Sequence, residues 1–222
     1  MARYLYVMLS RTDTAMGRLI RFCTREEYNH VSLALDAPDR FVSFARYCSD
    51  VPLAGGYVTE PSARFLFQGR VPQVRIYRLE LSEEDAGALE QLFGLAGHRE
   101  SALLYNSLGA LLTPCHIPCH IPGAYTCLEF AGAILGSSFS SIQALGDALA
   151  PWEIYRGELP HEDCPSADCS DPFFRKRSFL RGTKDTALHF NALLWRLLRL
   201  RRPADPISFC CLDILNKNKN AV

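Results

Sequence analysis

The run His30-Val-Ser-Leu-Ala-Leu-Asp36 alternates apolar Val31, Leu33 and Leu35 with small Ser32 and Ala34. That period of two is what an extended chain uses to bury one face. The turn Ala37-Pro-Asp-Arg40 returns the chain into Phe41-Val-Ser-Phe-Ala-Arg46, so an antiparallel hairpin with a half-buried first strand is expected. Tyr4 to Leu9 and Val71 to Leu81 read as two further strands, and Gly55-Gly56 as a bend between them. Helical spacing appears in Met16, Leu19, Ile20 and Cys23 behind a cap at Thr12 or Thr14. Ser82-Glu-Glu-Asp85 has the pattern of a capping box opening a helix through Phe93. Ser101 to Leu112 reads as a short apolar helix, and Cys127-Leu-Glu-Phe-Ala-Gly-Ala-Ile-Leu135 as another, with Cys127 where loop becomes helix. The fold class expected is α+β.

Composition removes several function classes. Lys+Arg and Asp+Glu both count 24 in 222 residues, so the chain lacks the basic excess with which nucleic-acid binders engage phosphates. The apolar run at the N-terminus is too short for a signal segment, and no stretch approaches the roughly 18 apolar residues of a membrane span. A cytoplasmic protein is expected. Nine cysteines are an odd count in a chain of this size, and reduced thiols fit it better than a disulfide framework.

Two residues carry the chemistry. A cysteine at a helix start meets unpaired N–H groups and partial positive charge, which favour the thiolate, and the same N–H groups can receive an oxyanion. Histidine is the side chain suited to be its base near neutrality. Cys127 and His30 therefore form a candidate nucleophile and base. The structural alternative is a buried small apolar thiol and a histidine that merely opens a strand.

The segment Tyr28-Asn-His-Val-Ser-Leu-Ala-Leu-Asp36 resembles the Tyr/Ser-x-His-Val-x-hydrophobic strand of the permuted NlpC-type papain-like enzymes, the YiiX/YaeF-like group. Tyr125-Thr-Cys-Leu-Glu-Phe130 is similar to that group's Tyr-x-Cys-Ser-Glu/Gln-Phe helix start. His precedes Cys, the order of the permuted group, and the resemblance runs from Tyr4 to Leu159. It implies a circularly permuted papain-like fold over residues 1–160, with an antiparallel sheet packed on the nucleophile helix. It also implies a thiol-dependent hydrolase or acyltransferase in which Cys127 attacks an amide, isopeptide or ester and His30 accepts its proton, with no cofactor. Relatives add a polar third residue after the His strand. Here Phe41 to Tyr47 offers no carboxylate, leaving Ser43 as the candidate by alternation and Asp36 or Glu60 as weaker options. Leu128 replaces the usual small hydroxyl residue, and Tyr125 is a candidate oxyanion donor.

A second cluster, Cys115, His116, Cys119 and His120, has soft ligands for zinc, to which Cys164 and Cys169 can be added. Pro114, Pro118 and Pro122 oppose a regular helix there, and no usual knuckle spacing is matched, so a Pro-rich loop is the default. A catalytically silent binding module, membrane-peripheral or zinc-linked, is the alternative to the enzyme. Residues 161–185 read as a linker, and residues 186–222 as an amphipathic helix with a frayed tail. On its wheel His189, Arg196, Arg199 and Arg202 oppose Leu193, Leu194, Leu197 and Leu200, with Trp195 near the boundary. Residues 186–202 could thus rest on an anionic membrane, on a second copy or on their own domain, while the cleft takes a small peptide-like or lipid-like substrate.

Overall fold

Strand β1 (Arg3–Ser10) is the spine of the sheet, buried from Leu5 to Ser10 in the computed structural model. The structure describes residues 2–51, 53–66, 70–97, 103–115, 117–160, 172–174, 176, 178–198, 207 and 212–220. Strand β1 pairs with β2 (His30–Leu35) on one side and β5 (Gln73–Leu81) on the other. Beyond β2 lie β3 (Arg40–Arg46) and β4 (Gly55–Pro61), and beyond β5 lies β8 (Glu153–Glu158). The order β4-β3-β2-β1-β5-β8 is antiparallel throughout, as the hairpin signals require. A separate parallel pair joins β6 (Leu104–Tyr105) to β7 (Ala124–Tyr125).

Alternation along β1 sends Leu5, Val7 and Leu9 to one face and Tyr6 and Met8 to the other. The first face is covered by α3 (Glu83–Gly97), α5 (Cys127–Leu135), α6 (Ile142–Leu149) and α8 (Ile214–Lys219), whose apolar residues complete the main core. The second face packs Phe41, Val74 and Ile76 with Phe65 of α2 (Ser62–Phe65) and with Leu159. Strand β2 is therefore buried on both sides rather than half-buried, because Ser32 and Ala34 are fully covered too. Helix α1 (Ala15–Thr24) is capped by Thr14, whose hydroxyl accepts from Gly17 N–H. The Ser82 hydroxyl accepts from Asp85 N–H at the start of α3, the expected cap.

Several elements differ from their sequence signals. The Gly55-Gly56 bend is the first part of a strand. A Cβ at Gly55 would stand 2.3 Å from the Ala45 carbonyl oxygen, so glycine is what lets β4 close on β3 there. The helix expected from Ser101 starts at Ser107 as α4 (Ser107–Leu112), since Leu104 and Tyr105 are taken by β6. The end expected to fray forms α8, where the Asn218 amide donates to Glu80 O at 2.9 Å and its oxygen accepts from Glu80 N–H at 3.0 Å. Helix α7 (Phe179–Leu197) begins inside the stretch read as a linker. Its polar side turns inward: His189 donates from Nε2 to Tyr105 O at 2.9 Å, and Arg196 donates to Gly123 O. Leu193 is buried beside them, whereas Leu194, Trp195 and Leu197 remain exposed. Arg199, Leu200 and Arg202 lie outside the described residues. Among the described residues no helix is long and apolar enough to cross a membrane.

The junction between α5 and the sheet is aromatic. Phe44 is fully buried, with ring centroids of Phe130, Tyr125 and Tyr57 at 5.2, 5.3 and 5.9 Å. Phe44→Ala is expected to lower unfolding free energy by about 4 kcal/mol in denaturant titration, because the site cannot collapse around the lost ring. Phe22→Ala, at a position 84% exposed, is expected to change it by less than about 0.5 kcal/mol. Equal losses from the two variants would contradict this packing.

Candidate active site

His30 opens β2, and by alternation it shares a face with Ser32 and Ala34. Glu60 on β4 stands opposite Phe41 in the β3–β4 register, which places it and Ser43 on that same face. The β2–β3 ladder is reduced to one register pair, Leu33 with Val42, so the strands are unpaired at the His30 end.

Cys127 is the first residue of α5. The helix starts here because Thr126 and Glu129 form a reciprocal cap: the Thr126 hydroxyl accepts from Glu129 N–H at 3.1 Å, and the Glu129 carboxylate accepts from Thr126 N–H at 2.7 Å. Glu129 is held in turn by the Asn106 amide at 3.2 Å. Asn106 is fully buried, caps α4 through Gly109 N–H, donates to Cys119 O at 2.6 Å and gives its own N–H to Tyr125 O at 2.9 Å. The turn delivering Cys127 is thus braced from both of its flanks.

The histidine is held by a carboxylate. His30 Nε2 lies 2.9 Å from Glu60 Oε2 and 3.1 Å from Oε1, with the two side chains 12% and 4% exposed. A carboxylate can only accept, so Nε2 carries the proton and Nδ1 is the ring nitrogen left for Cys127. Ser32 donates to Glu60 Oε2 at 2.6 Å, and Arg64 Nε stands 3.5 Å from Oε1. Ser43 Oγ is farther from Nε2, at 3.4 Å. Burial by itself would lower the His30 pKa, but the Glu60 carboxylate first and the neighbouring Cys127 second raise it from 6.5 to about 10. Burial by itself would raise Glu60, yet His30, Arg64 and the Ser32 hydroxyl bring it from 4.5 down to about 2. Burial first, then the neighbouring Cys127, pushes the Tyr105 phenol upward.

The residues read from sequence are therefore brought together unevenly. His30 and Cys127 are linked through their electrostatics. Glu60, ranked behind Ser43, makes the direct bond to the ring, and Ser43 sits at its side. Asp36 is on the far end of β2, paired with Arg3 Nε at 2.8 Å. The Tyr125 ring packs on Phe44. Ser32, Arg64, Tyr105, Asn106 and Glu129 were not singled out in sequence; the signals available were the i, i+4 spacing of Glu60 and Arg64 and the Thr126-x-x-Glu129 capping-box pattern. In the Pro-rich loop Cys115 and His120 are exposed, and His120 faces Glu129 at 3.4 Å. No group of three or more metal-ligating side chains gathers among the described residues, and His116, Cys164 and Cys169 lie outside them.

An open cleft enclosing about 680 Å³, solvent mouth included, lies against this site. His30, Glu60 and Tyr105 line it, and α1 with its preceding turn supplies the facing wall. No family model, no curated protein and no solved structure matches the chain.

The two titrating groups set a stability window. The His30 contribution is complete below its unfolded value of 6.5 and is lost as pH rises through about 10, while that of Glu60 is complete above 4.5 and is lost as pH falls through about 2. Both are whole between 4.5 and 6.5. Glu60→Gln, which breaks a buried pair from one side, is expected to destabilise by about 3 kcal/mol near pH 5.5, with the deficit shrinking toward pH 10. A deficit independent of pH in chemical denaturation would contradict the coupling.

Proposed function

We propose that the chain is a thiol-dependent hydrolase or acyltransferase with the arrangement of a permuted papain-like enzyme, using Cys127, His30 and Glu60. One observation carries this reading: an imidazole clamped by a buried carboxylate at 2.9 Å is coupled to a cysteine at the first residue of a helix. The order His before Cys, on a strand and a helix start respectively, supports the same reading.

In this mechanism the proton rests on His30 before substrate arrives, because Glu60 stabilises the imidazolium and the imidazolium stabilises the thiolate. The Cys127 sulfur attacks the carbonyl carbon of an amide, isopeptide or ester. A C–S bond forms, and the carbonyl electron pair moves to oxygen. The Cys127 and Leu128 N–H groups, which come before the capped Glu129 N–H at the start of α5, suit the oxyanion. As the C–N or C–O bond breaks, His30 Nδ1 delivers its proton to the leaving amine or alcohol. The neutral imidazole then takes a proton from water or from an acceptor nucleophile, which attacks the thioester and returns the thiolate. Glu60 keeps Nε2 protonated throughout, so Nδ1 is always the nitrogen that exchanges the proton. Ser43 and Ser32 are positioning groups for the ring and its carboxylate. The silent-module alternative rested on a missing acid, and Glu60 fills that role.

Alkylation by iodoacetamide with peptide mapping tests this. Although Cys23 and Cys115 are exposed and Cys127 is less so, Cys127 is expected to react at least about tenfold faster near neutral pH. His30→Ala is expected to bring its rate to theirs. A Cys127 rate no higher than that of the exposed thiols, or one insensitive to His30, removes the enzyme reading.

A further inference from the structure

The wall of the cleft beside His30 holds two arginines whose charge the catalytic machinery does not fully use. Arg64 has Glu60 at 3.5 Å and donates to the backbone oxygen of Arg46 at 2.5 Å. Arg46, at the end of β3, donates one hydrogen bond, from Nη1 to Ser49 O at 3.2 Å, and no carboxylate pairs with it among the described residues. The Phe173 ring lies against both guanidiniums, 4.5 Å from Arg64 and 6.0 Å from Arg46. Both arginines and Phe173 line the same cleft as His30, Glu60 and Tyr105. Burial lowers the pKa of Arg46, with Tyr105 and Arg64 as the charged neighbours it senses. A half-buried guanidinium with most of its donors unmatched costs free energy unless an anion completes it.

We propose that Arg46, oriented by Phe173 and backed by Arg64, is an anion subsite that selects substrates carrying a carboxylate or phosphate near the scissile bond. The inference rests on the thiol reading of Cys127 and names its substrate class. An acyl group with an anionic oxygen cluster would lie along the cleft with its anion on Arg46 and its carbonyl toward the His30 end. The Glu60 carboxylate is already engaged by His30, Ser32 and Arg64, so it does not compete for Arg46. Neutral substrates of the same length leave the guanidinium unpaired and are discriminated against.

The test uses the thiol itself as reporter and the full chain. Cys127 is alkylated with N-iodoacetylglycine and with its neutral carboxamide, and the acid-to-amide rate ratio is compared with the ratio at exposed Cys23 in the same sample. The ratio at Cys127 is expected to exceed that at Cys23 by about tenfold or more. Arg46→Gln is expected to bring it to the Cys23 value while the carboxamide rate at Cys127 is unchanged. Should Arg46→Gln not fold, Arg46→Lys keeps the charge without the fork and is expected to retain part of the preference. Iodoacetylaminomethylphosphonate in place of the glycine acid distinguishes phosphate from carboxylate as the better anion. A Cys127 ratio equal to or below that at Cys23, or one unmoved by Arg46→Gln, overturns the subsite. The His30 dependence of the neutral carboxamide rate judges the thiol reading separately, so selective labelling without acid preference defeats the subsite alone.

Discussion

A carboxylate and an imidazole buried together at the open end of a β-sheet set the terms for the rest of the molecule. Removing either charge from water is costly, and their attraction repays the cost only when every remaining lone pair and proton is satisfied. Ser32, Arg64 and Ser43 complete that satisfaction around Glu60 and His30. The β2–β3 ladder has a single register pair, Leu33 with Val42. The electrostatics of His30 also feel Cys127 at the start of α5.

Placement of the thiol depends on elements far from it in sequence. The parallel pair β6–β7 sets the chain just before Thr126, and Asn106 ties that pair to Glu129 at the helix cap. Helix α7 then grips the same pair from outside, through His189 on Tyr105 and Arg196 on Gly123. The C-terminal region is thus part of the frame behind the site. Its inward face is the polar one because exposed carbonyls of a two-residue ladder demand donors, and these outweigh the burial of Leu194 or Leu197.

How much of this was legible in the sequence follows the range of the forces involved. The alternation at Val31, Leu33 and Leu35, the Thr14 cap and the helix opening at Cys127 are local, and they appear where the local signals put them. Strand β4 was hidden because Gly55-Gly56 at its start and Pro61 at its end read as breakers around the strand-prone Tyr57-Val-Thr59. With that strand read as a bend, Glu60 had no register, and Ser43 on the neighbouring strand stood in its place. The wheel of α7 put Leu193 opposite His189 and Arg196, whereas all three share the buried face at i, i+4, i+7 spacing, and the pattern carries no information on which face turns inward. Asn106 and Glu129 are 23 residues apart and share no pattern that would join them.

The coupling of Glu60, His30 and Cys127 is most directly read from the imidazole itself. Nitrogen-15 NMR of the His30 ring across pH reports the protonation of each ring nitrogen. The ring is expected to stay doubly protonated through neutrality and to lose a proton near pH 10, with Cys127→Ser and Glu60→Gln each lowering that midpoint. A His30 that titrates near its ordinary value of 6.5, or a midpoint unmoved by Cys127→Ser, would contradict the account.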